Sequence, residues 1–309
     1  MWDKGFSEDN IIGKHDKYVK NKIKSQLKDG DVFINTTWLE IDKDLESIFS
    51  QKVKRAILYS GPDWENTNCI YERRKAHQFI SDNSEEVVHI GNFDNENYFC
   101  FWLDFLIKHP FPEFNFFDRE PEKKFMSLNR KPHDHRVELV NAFENGGLID
   151  DGYVSLGGRY TLDEWENEDG DKAVAGDVGI TNDITSLGNP ELWNNHRINI
   201  VSETTQHTNF FISEKTFKPI VGCRPFMILG DIKVTNYLKR WGFDVFEDIF
   251  GTGHNCKWHS DRIRWIILAL QTVDVDLTEL KERLLYNKEH FKIVQKQNRE
   301  KLLSLPAFT

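Results

Sequence analysis

Short apolar runs alternate with longer amphipathic stretches along most of this chain. In the first half, Asp31 to Asn35 (DVFIN), Arg55 to Tyr59 (RAILY) and Glu86 to Ile90 (EVVHI) have the length and β-branched content of strands. The polar and apolar positions of Ile70 to Ser81 suit a helix, and the aromatic-rich run Tyr98 to Leu106 reads as a buried one. His109-Pro110-Phe111-Pro112 stops that helix, and the charged segment Asp118 to Lys124 follows. Two prolines in three residues followed by a charge run predict a domain boundary near residue 120.

The alternation then restarts. A strand is predicted over Lys124 to Leu128, a helix over Asp134 to Glu144 that stops at Gly146-Gly147, and a strand around Tyr153 to Ser155. An acidic, Gly-containing insertion from Asp163 to Gly176 reads as a surface loop. Further strands are expected at Arg197 to Val201 and Pro225 to Leu229, with a helix beginning near Ser213 between them. The charged, amphipathic tail from Leu277 to Leu305 reads as one or two closing helices, and no internal repeat is visible. Strands alternating with helices imply parallel βαβ units, so the expected class is α/β. The expected domains are residues 1–120 and 121–285, with a C-terminal helix at 286–309.

Composition narrows the function. The 309 residues are 39% hydrophobic and 29% charged, a balance that excludes collagen and wholesale disorder. Forty Lys plus Arg against fifty Asp plus Glu leave a formal charge of −10, which repels a phosphate backbone unless basic residues gather in one place. Nucleic acid therefore ranks low as a partner. The four cysteines form no CxxC pair, and the first residues carry charges where an export signal needs an apolar run, so a cytoplasmic setting is expected. The apolar run Trp265 to Leu270 is far short of the ~20 residues that cross a bilayer, so no membrane span is expected.

Three segments carry candidate chemistry. Ser213 is a good helix N-cap, which puts Glu214, Lys215 and Thr216 in a first turn whose N–H groups and dipole attract anions. Lys215 adds a full charge suited to a diphosphate, and the Glu214 carboxylate could accept from both hydroxyls of a ribose. Ordinary capped helices show the same pattern. The second segment, Asn129-Arg130-Lys131-Pro132-His133-Asp134-His135-Arg136, places three fixed cations where a strand hands over to a helix, the end of a parallel sheet where ligands bind. A solvated loop is the plainer account. In the third, Glu203 closes an apolar strand eleven residues before Glu214, so both carboxylates are expected at the rim of one crevice, unless Glu203 merely faces water. No metal is assigned to the His133/His135 pair, and a zinc set of His254, Cys256 and His259 lacks a fourth ligand.

Taken in order, the Asn129-Arg130 loop with Arg136, Tyr153-Val154-Ser155-Leu156-Gly157-Gly158, Asn199 to Thr204, and Ser213-Glu214-Lys215 resemble the donor half of α-1,3-fucosyltransferase-type glycosyltransferases. The resemblance spans roughly residues 124 to 250 and implies a GT-B enzyme, two Rossmann-like domains facing a cleft. It implies that Arg136 and Lys215 hold the donor diphosphate and Glu214 the ribose, within a donor site containing Asn129, Arg130, Tyr153, Ser155, Glu203, Ser213 and Thr216. The implied reaction is metal-independent sugar transfer, with inversion, from a GDP- or UDP-linked sugar to a hydroxyl of a carbohydrate or glycoconjugate. The nucleotide sugar is a co-substrate, and no cofactor is called for. The family's proton acceptor comes from the N-terminal domain, where Asp63 is the first candidate and Asp94 the second. The chain departs from the family at Glu203-Thr204-Thr205, which stands where an ENS step is usual. Gly222 lies eight residues after Glu214, where a retaining enzyme would carry a second glutamate. The rival readings are a nucleotide-sugar epimerase or hydrolase and a noncatalytic nucleotide- or carbohydrate-binding protein. DNA glucosylation would need a basic acceptor face, and the N-terminal half offers only local basic runs such as Lys14 to Lys28.

Overall fold

The structure, a computed structural model, describes residues 11–36, 43–51, 53–60, 70–91, 99–111, 120–157, 159–160, 187–204 and 211–303. The chain forms two compact units, one of Met1–Lys108, Thr208–Phe210 and Gln295–Thr309, the other of His109–His207 and Phe211–Val294.

In the first unit, helix α1 (Ile11–Lys24) leads into strand β1 (Asp31–Asn35), followed by α2 (Lys43–Ile48), β2 (Val53–Ser60), α3 (Ile70–Asp82), β3 (Ser84–Gly91) and α4 (Phe101–Lys108). The strands form a parallel sheet in the order β1-β2-β3. Parallel strands are covered on both faces, which is why each carries a short apolar run at its centre. Ile34, Ala56 and Leu58 pack with Leu45 of α2 and with Ala76 and Ile80 of α3. The alternate residues Phe33 and Tyr59 stack on each other, and Tyr59 donates from Oη to Asp16 of α1 (3.0 Å). The strands exceed the sequence expectation by a residue or two at β2 and β3, and α4 opens at Phe101 instead of Tyr98.

The second unit holds β4 (Lys123–Asn129), α5 (Asp134–Asn145), β5 (Gly152–Leu156), α6 (Pro190–Asn194), β6 (His196–Ser202), α7 (Glu214–Val221), β7 (Phe226–Leu229), α8 (Lys233–Arg240), α9 (Glu247–Phe250) and α10 (His259–Thr272). Its sheet runs β5-β4-β6-β7, all parallel. Helix α5 carries Phe143 onto Phe125 of β4 (ring centroids 4.8 Å apart), and α10 packs beside α5. The last helix, α11, runs unbroken from Leu277 to Leu303, where the sequence predicts one or two closing helices over Leu277 to Leu305. Phe291 of α11 packs on Phe217 of α7 within the second unit. Two parallel sheets flanked by helices make the chain α/β, compatible with Rossmann-like folding. Among the described residues no helix is long and apolar enough to cross a membrane. The acidic insertion, Asp63 and Asp94 lie outside the described residues.

Candidate functional site

The strand order fixes where a ligand can enter the second unit. From β4 the chain turns through α5 to β5 on one side, and from β6 it turns through α7 to β7 on the other. Neighbouring strands whose chains leave in opposite directions open a crevice at their carboxyl ends, where ligands of open α/β sheets bind. The ends here are Asn129 of β4 and Ser202 of β6. Both following helices present their N-termini at this edge, so two positive dipole ends accompany the crevice.

Two consecutive residues of α5 join the edges. His135 donates from Nε2 to the Glu203 carbonyl (2.9 Å), and Arg136 donates to the Ser202 carbonyl (3.1 Å) and to the Lys131 carbonyl (3.2 Å). Arg136 is buried, and two of its guanidinium nitrogens are committed to backbone. The expected diphosphate contact at this residue is corrected on that ground: Arg136 fixes the loop against β6, and the more exposed cations of the edge are Arg130, Lys131 and Lys215.

Ser213 caps α7 as its sequence position predicts, accepting from the Lys215 N–H (3.3 Å). Glu203 is corrected more sharply. It is fully buried, and its carboxylate accepts from the Ser213 N–H (3.0 Å), the Ser213 hydroxyl (2.5 Å) and the Thr216 hydroxyl (2.6 Å). It is the brace that holds the start of α7 onto the end of β6. Thr216, likewise fully buried, belongs to that brace and lines no opening.

Glu214 and Lys215 remain. Lys215 donates to Glu214 Oε1 (2.6 Å), while Glu214 Oε2 is buried and has no hydrogen-bond partner among the described residues. Asn129 Oδ1 and Ser202 Oγ, at the ends of β4 and β6, are in the same condition. Buried polar atoms are normally satisfied. Three oxygens without such a partner among the described residues lie at one end of the sheet. Ser202 escaped the sequence reading because a Ser at a strand end is unremarkable until its burial is known.

His133 reports on the charge of the edge. Burial lowers its pKa first, and Arg136, Lys131 and Lys215 lower it further against a small opposing effect of Asp134. The loop after β4 and the start of α7 are therefore close enough for Lys131, Arg136 and Lys215 to act together on His133. His133 and His135 lie stacked, with ring planes 3° apart. Asn129 is held by Ser155, whose hydroxyl accepts from the Asn129 N–H (3.0 Å), so Ser155 supports the edge from below. Tyr153 is corrected: it lies in the amino-terminal half of β5, and its hydroxyl accepts from Asn195 (2.8 Å) just before β6, at the end of the sheet opposite the crevice. The histidines considered for zinc point to separate carboxylates, His254 to Glu247 (3.0 Å) and His259 to Glu138 (2.6 Å).

Compared with models of protein families, with curated proteins and with solved structures, the chain matches none.

Proposed function

We propose that this protein is a glycosyltransferase of the GT-B type whose second unit binds a nucleoside-diphosphate sugar at the β4/β6 edge. The observation that carries the reading is that His135 and Arg136 tie the cation loop to the end of β6 while Glu203 ties that same end to the start of α7, which brings Lys131 and Lys215 near His133, beside the unsatisfied Glu214 oxygen. Departure of a nucleoside diphosphate builds negative charge as the anomeric carbon becomes cationic. Fixed cations and helix N–H groups that neutralise the leaving group lower that barrier. Arg130, Lys131 and Lys215 take this role, Glu214 accepts from the ribose hydroxyls, and His135 with Arg136 holds the two edges at the right separation. In this reading Asp63 or Asp94 of the first unit accepts the proton of the attacking hydroxyl.

Thermal melting with UDP, GDP or CDP tests the binding half. A nucleotide at a hundred times its dissociation constant adds about 2.7 kcal/mol of stability. Melting that none of the three shifts would remove the reading. Lys215→Ala should lower transfer about a hundredfold, as loss of one such charge-assisted contact does. Release of nucleotide without an acceptor would mark a hydrolase, and binding without any release a noncatalytic binder.

A further inference from the structure

The first unit carries a charged surface for which sugar transfer has no use. Helix α1 turns Ile12, Val19 and Ile23 into the core, and its one acidic residue goes with them: Asp16 is buried, held by Tyr59 and by Lys20 (3.1 Å). The outer face is left to Lys14, Lys17, Tyr18, Asn21, Lys22 and Ser25, which line a hollow of about 430 Å³ with no carboxylate among the described residues that line it. Lys108 of α4 adds a further ammonium, 3.4 Å from the centroid of the Tyr18 ring.

We propose that this face docks the phosphate backbone of a nucleic acid. The hollow is a shallow trough along a helix, and small ligands bind where a pocket encloses most of their surface. Binding here therefore draws on several charges engaged together by a repeating anion. Lys14 and Lys22 stand about 12 Å apart along the helix axis. That distance spans three to four steps of a nucleic-acid strand at roughly 3.4 Å each. Asn21 is of the neutral donor type that contacts phosphate and sugar oxygens. An anionic bilayer fits less well, because a helix lying on a membrane buries an apolar face there, and the apolar face of α1 is already in the protein core. On a chain of net charge −10, a basic face of this kind also orients an approaching polyanion, since the average surface repels it. The inference concerns the first unit alone and stands apart from the nucleotide-sugar reading.

Fluorescence anisotropy of the full chain with labelled oligonucleotides, single-stranded and duplex, tests it. With about three phosphates neutralised, duplex affinity should fall roughly 40-fold between about 50 and 200 mM salt, and single-strand affinity somewhat less. The double variant Lys14→Glu/Lys22→Glu should weaken binding at least about tenfold at the lower salt with unchanged melting temperature. Lys233→Glu/Lys257→Glu makes the same change of total charge in the second unit and should weaken binding far less. An equal loss in both variants, no binding at low salt, or binding to phosphatidylserine vesicles but not to oligonucleotides would each overturn the proposal.

Discussion

Glu203 and Glu214 show how differently two carboxylates at one sheet edge behave. Glu203 answers three donors of the α7 start, so deleting it leaves buried donors without an acceptor. Glu203→Ala should lower unfolding free energy by about 3 kcal/mol, measured by urea denaturation. Glu203→Gln keeps an oxygen for the Ser213 N–H and the Thr216 hydroxyl, and it should lose less than half as much. Glu214→Gln should leave the denaturation midpoint close to wild type and abolish the nucleotide-induced rise in melting. If it unfolds the protein as Glu203→Ala does, Glu214 is a structural residue and no ribose ligand. The Ser213 cap was legible in sequence because capping is local: the hydroxyl and the N–H it serves are two residues apart. The destination of the Glu203 carboxylate was not, because it depends on where β6 ends relative to α7, and chain order alone leaves that open. Tyr153 was misread for a simpler reason. Only the carboxyl end of a parallel strand faces the crevice, and β5 starts at Gly152, just before it.

Elements were legible where burial made their sequence uniform. The parallel strands stand out as apolar runs, and α5 ends at the Gly146-Gly147 pair expected to stop it, with Gly147 in left-handed conformation (φ 67°). The helix α10 was harder, since Trp265 to Leu270 within it reads as one apolar block that masks a helical period. Long-range contacts between elements left the faintest trace of all. Gly157, just after β5, donates its N–H to the Asn129 carbonyl (3.1 Å), and a Cβ there would stand 2.0 Å from the Arg130 carbonyl oxygen. The strand end and the cation loop touch backbone to backbone, and only glycine permits it. Gly157→Ala must push the loop away and should cost about 2 kcal/mol of stability, within the usual range for overpacking. The same displacement shifts Arg130 and Lys131, so nucleotide affinity should fall together with stability. Wild-type melting together with wild-type nucleotide binding in this variant would show that the loop has room that the structure denies it.

At the scale of the whole chain, the notable feature is the return of the C-terminus to the first unit. After Val294 helix α11 belongs with α4: Asn298 brackets Cys100, accepting from its N–H (2.8 Å) and donating to its carbonyl (2.9 Å), and Arg299 donates to Asp104 (2.7 Å). Asp104 is fully buried and also meets His15 of α1 (3.0 Å), so one carboxylate ties the first helix, the fourth and the last into a single core. Burial by itself would raise the Asp104 pKa. The close His15 imidazole and the Arg299 guanidinium, which donates to Asp104 Oδ1, outweigh it and hold the carboxyl below its ordinary value. A group depressed in the folded state stabilises fully above its unfolded pKa, about 3.9 for aspartate. That contribution drains as pH falls through the folded value, because the unfolded chain then takes up the proton first. Asp104→Asn leaves His15 and Arg299 facing a neutral amide, and breaking a buried pair of this kind costs about 3 to 5 kcal/mol at neutral pH. The gap between variant and wild type should hold at pH values above the unfolded aspartate pKa of about 3.9 and narrow as pH falls below it through the lowered folded-state value. Urea denaturation at neutral, mildly acidic and strongly acidic pH measures that gap directly. A gap of constant size across the series would mean that the carboxylate charge contributes nothing and that the three helices are joined by packing alone.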